Sequence, residues 1–421
     1  MEKSVYDKYT AILKAELLPA MGCTEPIAVA YAAALARATL EAIPEKVEIC
    51  VSGNILKNVK SVIVPNTGGM RGVVSAAAAG IVAGDETKRL QVLSAVAESQ
   101  YKDIENYIKN AEFTVIKSNS GCIFDIGVTV CNKEHSAYVR IAERHTNVVH
   151  VEKDGQAIID KSAGEGKDEN KSAMSVKEIV EYADTVDIKE IEEVVSRQIE
   201  YNSAISAEGL KNDYGARIGK ILLASFGDGV HNKAKAAAAA GSDARMNGCS
   251  LPVVIVSGSG NQGITASMPV IVYAESLGSS REQLLRAVAL SDLVTVHLKS
   301  DIGSLSAYCG AVSAGCGAAA GICYLHGGRY DEIAHTLVNA LAIDSGVICD
   351  GAKSSCAAKI ASSVEAGLLG FEMYRNGSQF YGGDGILEKG VENTIHNVGD
   401  LARIGMRETD EEIIKIMIKN I

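Results

Sequence analysis

Cysteine residues recur at regular spacing between residues 302 and 356. In an α-helix a separation of seven residues is nearly two turns, so residues at this spacing would line one face. The intervening residues are mainly Gly, Ala and Ser, whose small size leaves space for a bound group. We predict that this stretch holds an iron–sulfur cluster; on spacing alone, cysteines packed as small hydrophobic residues are the alternative. The stretch contains two sets of cysteines spaced by seven residues, Cys309, Cys316 and Cys323, then Cys349 and Cys356.

The spacing of these cysteines excludes two common kinds of metal site. Ferredoxins use three closely spaced cysteines and a distant fourth. Zinc ribbons use C-x-x-C pairs, and this sequence contains none. The remaining possibility is a metal site whose cysteines come from two segments, one cysteine from the Gly-rich segment and two around residues 350–355. Three thiolates on a four-iron cluster would leave one iron without a protein ligand, and an open position is typical of catalytic metals.

Another cysteine, Cys23, is predicted at the beginning of a helix that runs to about residue 42. Thr24 or Cys23 could cap this helix, and Pro26 falls in its first turn. Unpaired backbone amides and the helix dipole favour a thiolate at such a position and lower the thiol pKa. Cys23 is therefore a candidate catalytic residue, with a small buried cysteine beside a helix cap as the alternative.

Two glycine-containing segments carry groups suited to binding a small polar molecule. Residues 64–72 read as a strand, a turn and a helix N-terminus, so turn amides and the charge of Arg71 could bind a carboxylate; an ordinary tight turn is the alternative. Residues 257–263 satisfy G-x-G-x-x-G, but no βαβ alternation surrounds them, which argues against a dinucleotide fold. Asn261 and Gln262 in this uncharged run need partners, which could be substrate or neighbouring backbone.

Composition and charge exclude several classes of function. The net charge of −11 and the lack of a basic stripe argue against a nucleic-acid partner. Two long uncharged segments, 246–274 and 302–325, are rich in glycine and small or polar residues, which favours burial in a soluble protein over a membrane span. The N-terminus does not read as a signal peptide. Ten cysteines without a secretion signal indicate a reducing, cytoplasmic location.

The order of the predicted elements indicates an α+β protein. Helices are predicted over 4–18 and 24–42, and residues 46–65 read as two short strands around a turn. Alternating patterns between residues 113 and 155 predict a small antiparallel sheet. From residue 176 onward strand signals nearly vanish, so the remainder is predicted to be largely helical and to hold the cluster.

Two domains are predicted from this order. An N-terminal α+β domain spans 1–165, and a helical iron–sulfur domain spans 175–421. The polar, glycine-containing stretch 160–174 is the predicted linker. The helices between residues 4 and 42 are also able to pack on the second domain.

Taken together, these motifs resemble one known family. The segments Gly22-Cys23-Thr24-Glu25-Pro26, NTGGMRG at 66–72 and SGSGNQG at 257–263, with Cys309, Cys349 and Cys356, are similar in identity and order to the L-cysteine desulfidase family. That family is related to the iron–sulfur L-serine dehydratases, and the resemblance covers essentially the whole chain. Their substrate loop resembles residues 67–70 here, but its histidine is absent, and the closing cysteine comes sooner. These departures put serine as the substrate in doubt.

The resemblance implies a reaction, a cofactor and a set of site residues. The reaction would be [4Fe-4S]-dependent elimination of sulfide from L-cysteine, giving pyruvate, ammonia and hydrogen sulfide; L-serine dehydration or a non-catalytic iron–sulfur sensor are the alternatives. Cys23 would be the base or a fourth cluster ligand. A homodimer that takes a small amino acid is expected. The implied cluster ligands are Cys309, Cys349 and Cys356, and the implied substrate-binding residues are Asn66, Thr67, Gly68, Gly69, Arg71, Ser257, Asn261 and Gln262.

Overall fold

The computed structural model describes residues 1–162, 171, 173–303 and 305–418. Helices dominate these residues, and a six-stranded sheet lies in the first half of the chain. The predicted α+β class is therefore confirmed.

The first half of the chain forms the sheet and the helices that cover it. Its elements are, in chain order, α1 (Lys3–Glu16), β1 (Pro19–Met21), α2 (Thr24–Leu40), β2 (Lys46–Val51), α3 (Gly53–Val59), α4 (Gly72–Ala83), α5 (Tyr101–Asn110), β3 (Glu112–Lys117), β4 (Asp125–Cys131), β5 (Ser136–Ala142), β6 (Val148–Lys153) and β7 (Gln156–Asp160).

The strand order of the sheet is β3-β2-β4-β5-β6-β7. Neighbouring strands are antiparallel except for β2 and β3, which run parallel. Parallel neighbours need a crossover connection, and α3, α4 and α5 supply it. The second strand predicted within residues 46–65 is wrong, because α3 occupies that place. The Ser52 hydroxyl accepts a hydrogen bond from the Ile55 amide and caps α3.

Helix α2 packs against β4 and β5, and α4 packs on α2. The alanine-rich sequence of α2 is buried almost throughout. Gly80 of α4 lies so close to α2 that a Cβ atom there would overlap the carbonyl oxygen of Ala30. Small side chains thus allow two helices to stack on the sheet, and this layering fixes the N-terminus of α2, where Cys23 lies.

The second half of the chain is a helical assembly. Its elements are α6 (Val176–Thr185), α7 (Ile188–Lys211), α8 (Ile218–Phe226), α9 (Val230–Met246), β8 (Pro252–Val254), α10 (Gly260–Leu277), α11 (Arg281–Ile302), α12 (Gly310–Leu325), α13 (Tyr330–Ile343), α14 (Cys356–Arg375), α15 (Val391–Asp400) and α16 (Arg407–Ile418).

Helix α12 lies at the centre of this assembly, in contact with α10, α11, α13 and α14. Every residue from Ala311 to Tyr324 is buried. Its glycines allow close approach of the neighbours: a Cβ at Gly315 would overlap the backbone of Ser363, and one at Gly317 would overlap Thr295. The uncharged segment 302–325 is therefore largely an interior helix. No helix in the described part of the chain is long and apolar enough to cross a membrane.

The two halves are joined by more than the connecting chain. Strand β1 pairs antiparallel with β8, and α1 packs on α6, α7 and α11. The hydrophobic core runs continuously through both halves. Of the predicted linker 160–174, residues 163–170 and 172 lie outside the described residues.

Candidate active site

A cavity of about 400 Å³ lies where the two halves meet. Its wall includes residues at the N-termini of α2, α10, α12 and α14, together with parts of α3 and the turn between β5 and β6. Helix N-termini carry partial positive charge and unpaired amides, so the cavity is suited to an anionic group. The predicted site residues on its wall are Cys23, Ser257, Asn261, Gln262, Cys309, Cys349 and Cys356.

Cys309 and Cys349 are brought together by a short backbone pairing. The Cys309 amide donates to the Val347 carbonyl oxygen at 2.8 Å, and the Cys349 amide donates to that of Ala307 at 2.6 Å. The two thiols are close enough to affect each other's ionisation: their interaction raises the pKa of Cys309 and lowers that of Cys349. Two thiols separated by forty residues in sequence are therefore adjacent in space.

Cys356 is the first residue of α14, and its thiol donates to the Gly351 carbonyl oxygen at 3.7 Å. Cys349 lies in the preceding loop, so these two cysteines do not share a helical face. Gly351 has a φ of +91°, and a Cβ there would overlap the carbonyl oxygen of Lys57. A glycine is needed at this position because the loop is pressed against α3.

Cys316 and Cys323 are placed differently from the cysteines of the cavity. Both lie in the buried interior of α12, whereas Cys309 is the residue that precedes this helix. The predicted stripe of three cysteines on one helix is therefore only partly correct. Neither Cys316 nor Cys323 lines the cavity, and burial raises the pKa of both thiols.

Two buried lysines stand beside the thiols. The Lys57 ammonium lies 3.4 Å from the Cys349 carbonyl oxygen and pairs with Asp410 at 2.5 Å. Burial lowers the pKa of Lys299 to about 8, while Cys349 and Cys309 act in the opposite direction. The neighbouring Cys309 thiol lowers the pKa of Cys349; burial opposes this, and the charges of Lys57 and Lys299 lower it further. The Cys349 sulfur is therefore held in a thiolate-favouring environment.

The residues of the cavity suit a cluster better than a single ion. Among the described residues, no three His, Cys, Asp or Glu side chains converge closely enough to hold one metal ion. An iron–sulfur cluster makes no such demand, because each thiolate binds a different iron. Three thiols from separate segments are suited to bind the irons of a cluster. Two buried lysines and several helix N-termini would offset the negative charge of such a cluster.

Cys23 precedes α2 as predicted, but its electrostatic surroundings differ from the expectation. Its thiol donates to the Glu25 carboxylate at 3.1 Å. Burial and the charge of Glu25 raise the thiol pKa well above its usual value. The predicted lowering is therefore wrong, since desolvation and a neighbouring carboxylate outweigh the helix dipole. Cys23 also packs near Cys356, one of the predicted cluster ligands.

The segment 66–71 is not on the cavity wall. The Thr67 hydroxyl donates to the Val64 carbonyl oxygen at 2.7 Å, and the Asn66 amide donates to Leu93 at 3.0 Å. Arg71 is exposed and donates to the backbone of Ser61. Gly68 and Gly69 are exposed as well. The structure therefore does not bring Asn66, Thr67, Gly68, Gly69 and Arg71 together with Cys309, Cys349 and Cys356.

The segment 257–263 does reach the cavity. Ser257 has a φ of +49°, a left-handed conformation that is costly for a serine and is often found at functional sites. The Asn261 Oδ1 and Gln262 Oε1 atoms are buried without a hydrogen-bond partner among the described residues. Gln262 packs against Gly310, next to Cys309. This segment therefore places unused hydrogen-bond acceptors beside the thiols.

Two cavity residues were missed by sequence reasoning. Arg245, at the end of α9, is 2% exposed, and its Nε and Nη2 atoms have no partner among the described residues. His145, in the turn between β5 and β6, has a buried and likewise unpartnered Nε2 atom, and burial lowers its pKa. Neither residue belongs to a recognisable motif, and only the tertiary structure brings them to the cavity.

Comparison with known proteins identifies the family. The family model described as serine dehydratase alpha chain matches residues 87–415. The chain belongs to the serine dehydratase alpha chain family. It is also similar over its length to proteins named UPF0597. The one from Desulfitobacterium hafniense is 54% identical over 416 residues, which cover 98% of this chain and 97% of the relative.

Two further UPF0597 relatives show the same full-length similarity. The one from Finegoldia magna is 48% identical over 414 residues, with 98% of this chain and 99% of the relative covered. The one from Lachnoclostridium phytofermentans is 46% identical over 416 residues, covering 98% and 100%. The resemblance to iron–sulfur serine dehydratases is thus confirmed, and membership supports a lyase with an iron–sulfur cofactor. The names of the relatives state no substrate.

Proposed function

We propose that the chain is an L-cysteine desulfidase, which converts L-cysteine and water to pyruvate, ammonia and hydrogen sulfide. The observation that carries this proposal is the convergence of Cys309, Cys349 and Cys356 on a cavity that Cys23 also lines. A polar cavity of about 400 Å³ next to these thiols has room for a small amino acid beside a cofactor. A sensor that only bound a cluster would not need this additional space.

Cys309, Cys349 and Cys356 would hold a [4Fe-4S] cluster in this proposal. When bound through three thiolates, such a cluster supplies a Lewis-acidic iron with an open position. The chain itself contributes the positive charges of Lys57 and Lys299, which favour the thiolate form of Cys349. The helix N-termini around the cavity act in the same direction.

Removal of the substrate Cα proton requires a base, and the cavity offers two candidates. Cys23 is the candidate from the sequence, but its thiol is hydrogen-bonded to Glu25 and its pKa is raised. A thiol in this state is a poor base at neutral pH, which favours the alternative role of Cys23 as a fourth cluster ligand. His145 is the second candidate, because a lowered pKa keeps its imidazole neutral and its Nε2 atom has no partner among the described residues.

L-Serine dehydration is the second candidate function, and the family match supports it. The two activities need the same cofactor and the same proton removal, and they differ in the leaving group. The resemblance places a histidine in the substrate loop of the serine dehydratases. The corresponding segment 67–70 has no histidine and lies away from the cavity wall, so the choice between the two substrates rests on the assay below.

The experiment that tests the proposal is anaerobic purification followed by iron and sulfide analysis and two activity assays. Pyruvate is measured with L-cysteine and with L-serine, and released sulfide is measured with L-cysteine. We expect about four irons per chain and a higher kcat/KM with L-cysteine. A higher kcat/KM with L-serine would establish the second candidate instead, and stoichiometric zinc without iron would reject both.

A further inference from the structure

We infer that Arg245 binds the α-carboxylate of a zwitterionic amino acid in the cavity, opposite an acceptor group formed by Glu25, Asn261 and Gln262 that receives its ammonium. This inference rests on the proposed function of the cavity as an amino-acid site. It assigns recognition of the substrate carboxylate to Arg245, whereas the sequence predicts Arg71 for that role.

Arg245 has the properties of a carboxylate-binding residue. It lies at the end of α9 on the cavity wall, is 2% exposed, and has two guanidinium nitrogens, Nε and Nη2, buried without partners among the described residues. A buried guanidinium with unused donors is costly unless an anion occupies them. Its planar fork matches the two oxygens of a carboxylate.

The backbone around Arg245 holds its guanidinium in place. A Cβ at Gly260 would overlap the Nε atom of Arg245, so the first residue of α10 packs directly against the guanidinium. The same helix N-terminus carries Asn261 and Gln262. An anion bound at Arg245 would therefore also lie close to the positive end of α10.

Acceptors for an ammonium group line the same cavity. The Glu25 carboxylate lies on the cavity wall and accepts hydrogen bonds from Cys23, Thr24 and Asn58. The Asn261 Oδ1 and Gln262 Oε1 atoms, which have no hydrogen-bond partner in the described part of the chain, add neutral acceptors. One buried cation, one anion and two amide oxygens complement an amino-acid zwitterion.

Arg71 is the competing guanidinium. It is exposed, donates to the backbone of Ser61, and is absent from the cavity wall. An exposed arginine exchanges its hydrogen bonds with water at little cost and contributes less to binding than a buried one. The geometry therefore favours Arg245 over Arg71 for the carboxylate.

The test compares binding of L-alanine and L-alaninamide to the anaerobically purified holoenzyme by calorimetry. Neither ligand has a leaving group, and they differ in the carboxylate. We expect the wild-type protein to bind L-alanine roughly ten- to a hundredfold more tightly, the range given by a charge-assisted hydrogen bond. Arg245→Gln should bind both ligands alike, whereas Arg71→Gln should keep the preference. Arg403→Gln, at an exposed arginine paired with Asp400, is a matched surface control.

The inference is overturned if Arg245→Gln keeps the wild-type preference, or if only Arg71→Gln abolishes it. The wild-type measurement needs no variant, so it decides the question even if Arg245→Gln misfolds. Equal affinity of the wild-type protein for L-alanine and L-alaninamide rejects carboxylate recognition. Failure of the proposed function is distinguishable. If L-cysteine gives no sulfide but the preference for L-alanine disappears in Arg245→Gln, the assigned activity is wrong and the amino-acid site is supported.

Discussion

Replacing Cys309 and Cys316 one at a time by alanine separates a cluster ligand from a core residue. Cys316 is 2% exposed inside α12, so its alanine variant loses buried volume similar to one methylene. We expect this change to lower the free energy of unfolding by about 1 kcal/mol and to leave the iron content unchanged. Cys309 is only half-buried and precedes the helix, so its variant should lose little packing but should lose the cluster.

Iron and sulfide per chain, the visible absorbance of the cluster, and anaerobic urea unfolding measure these effects. Cluster binding stabilises the folded chain, because the assembled set of ligands exists only there. Cys309→Ala should therefore lower the urea midpoint of the iron-loaded protein far more than that of the iron-free protein. Cys349→Ala and Cys356→Ala should behave like Cys309→Ala, and Cys323→Ala like Cys316→Ala. If Cys316→Ala loses the iron and Cys309→Ala keeps it, the assignment is wrong.

Three further predictions test the surroundings of the site. Cys23→Ser should abolish sulfide release. If the variant retains its iron, Cys23 is identified as the base. If the iron is lost, Cys23 is identified as a ligand, and His145→Gln is then the variant expected to lower kcat. Gly351→Ala should lower cluster occupancy after reconstitution, because a left-handed φ and the Lys57 carbonyl oxygen leave no room for a Cβ; unchanged iron would contradict the tight contact. Burial raises the pKa of Asp243 to about 6 in the folded protein, above the value of about 3.9 in unfolded chains. The folded state thus binds the proton more tightly, so this residue makes stability decrease as pH rises from about 4 to about 6; Asp243→Asn should flatten that decrease in urea unfolding, and an unaltered slope would refute it.

The helices of the second half could be predicted from sequence because periodicity and small residues report directly on local structure. The parallel pairing of β3 with β2 could not, since strand order depends on which edge the crossover helices leave open. The sequence predicts a second strand where α3 lies because residues 46–65 are rich in β-branched residues: Val47, Ile49 and Val51 occupy alternate positions, and residues 62–64 are Val-Ile-Val. Its Ser52 cap was the local signal that could have decided for a helix.

The residues of the candidate site could likewise be predicted only in part from the sequence. Cys349 and Cys356 are close in sequence and lie on adjacent segments, so the sequence alone predicts them as ligands, and the resemblance adds Cys309 to that prediction. Arg245 and His145 belong to no motif, and only the folded structure shows that their side-chain nitrogens are buried without hydrogen-bond partners among the described residues. The sequence predicts a lowered pKa for Cys23 because the helix dipole is a local effect. The pKa is raised instead because burial, which depends on the whole fold, has the larger effect.

The contact between Gly351 and Lys57 has a consequence for biogenesis. The loop of residues 349–355, which carries the predicted ligand Cys349, rests on α3. Other parts of the cavity wall come from residues near 23, 245 and 260, so the complete site exists only after nearly every element has been synthesised and docked. We expect cluster insertion to be post-translational and to depend on an already collapsed polypeptide. In a series of ribosome-arrested chains, iron should be acquired only after α14 has emerged, and earlier acquisition would contradict this order of assembly.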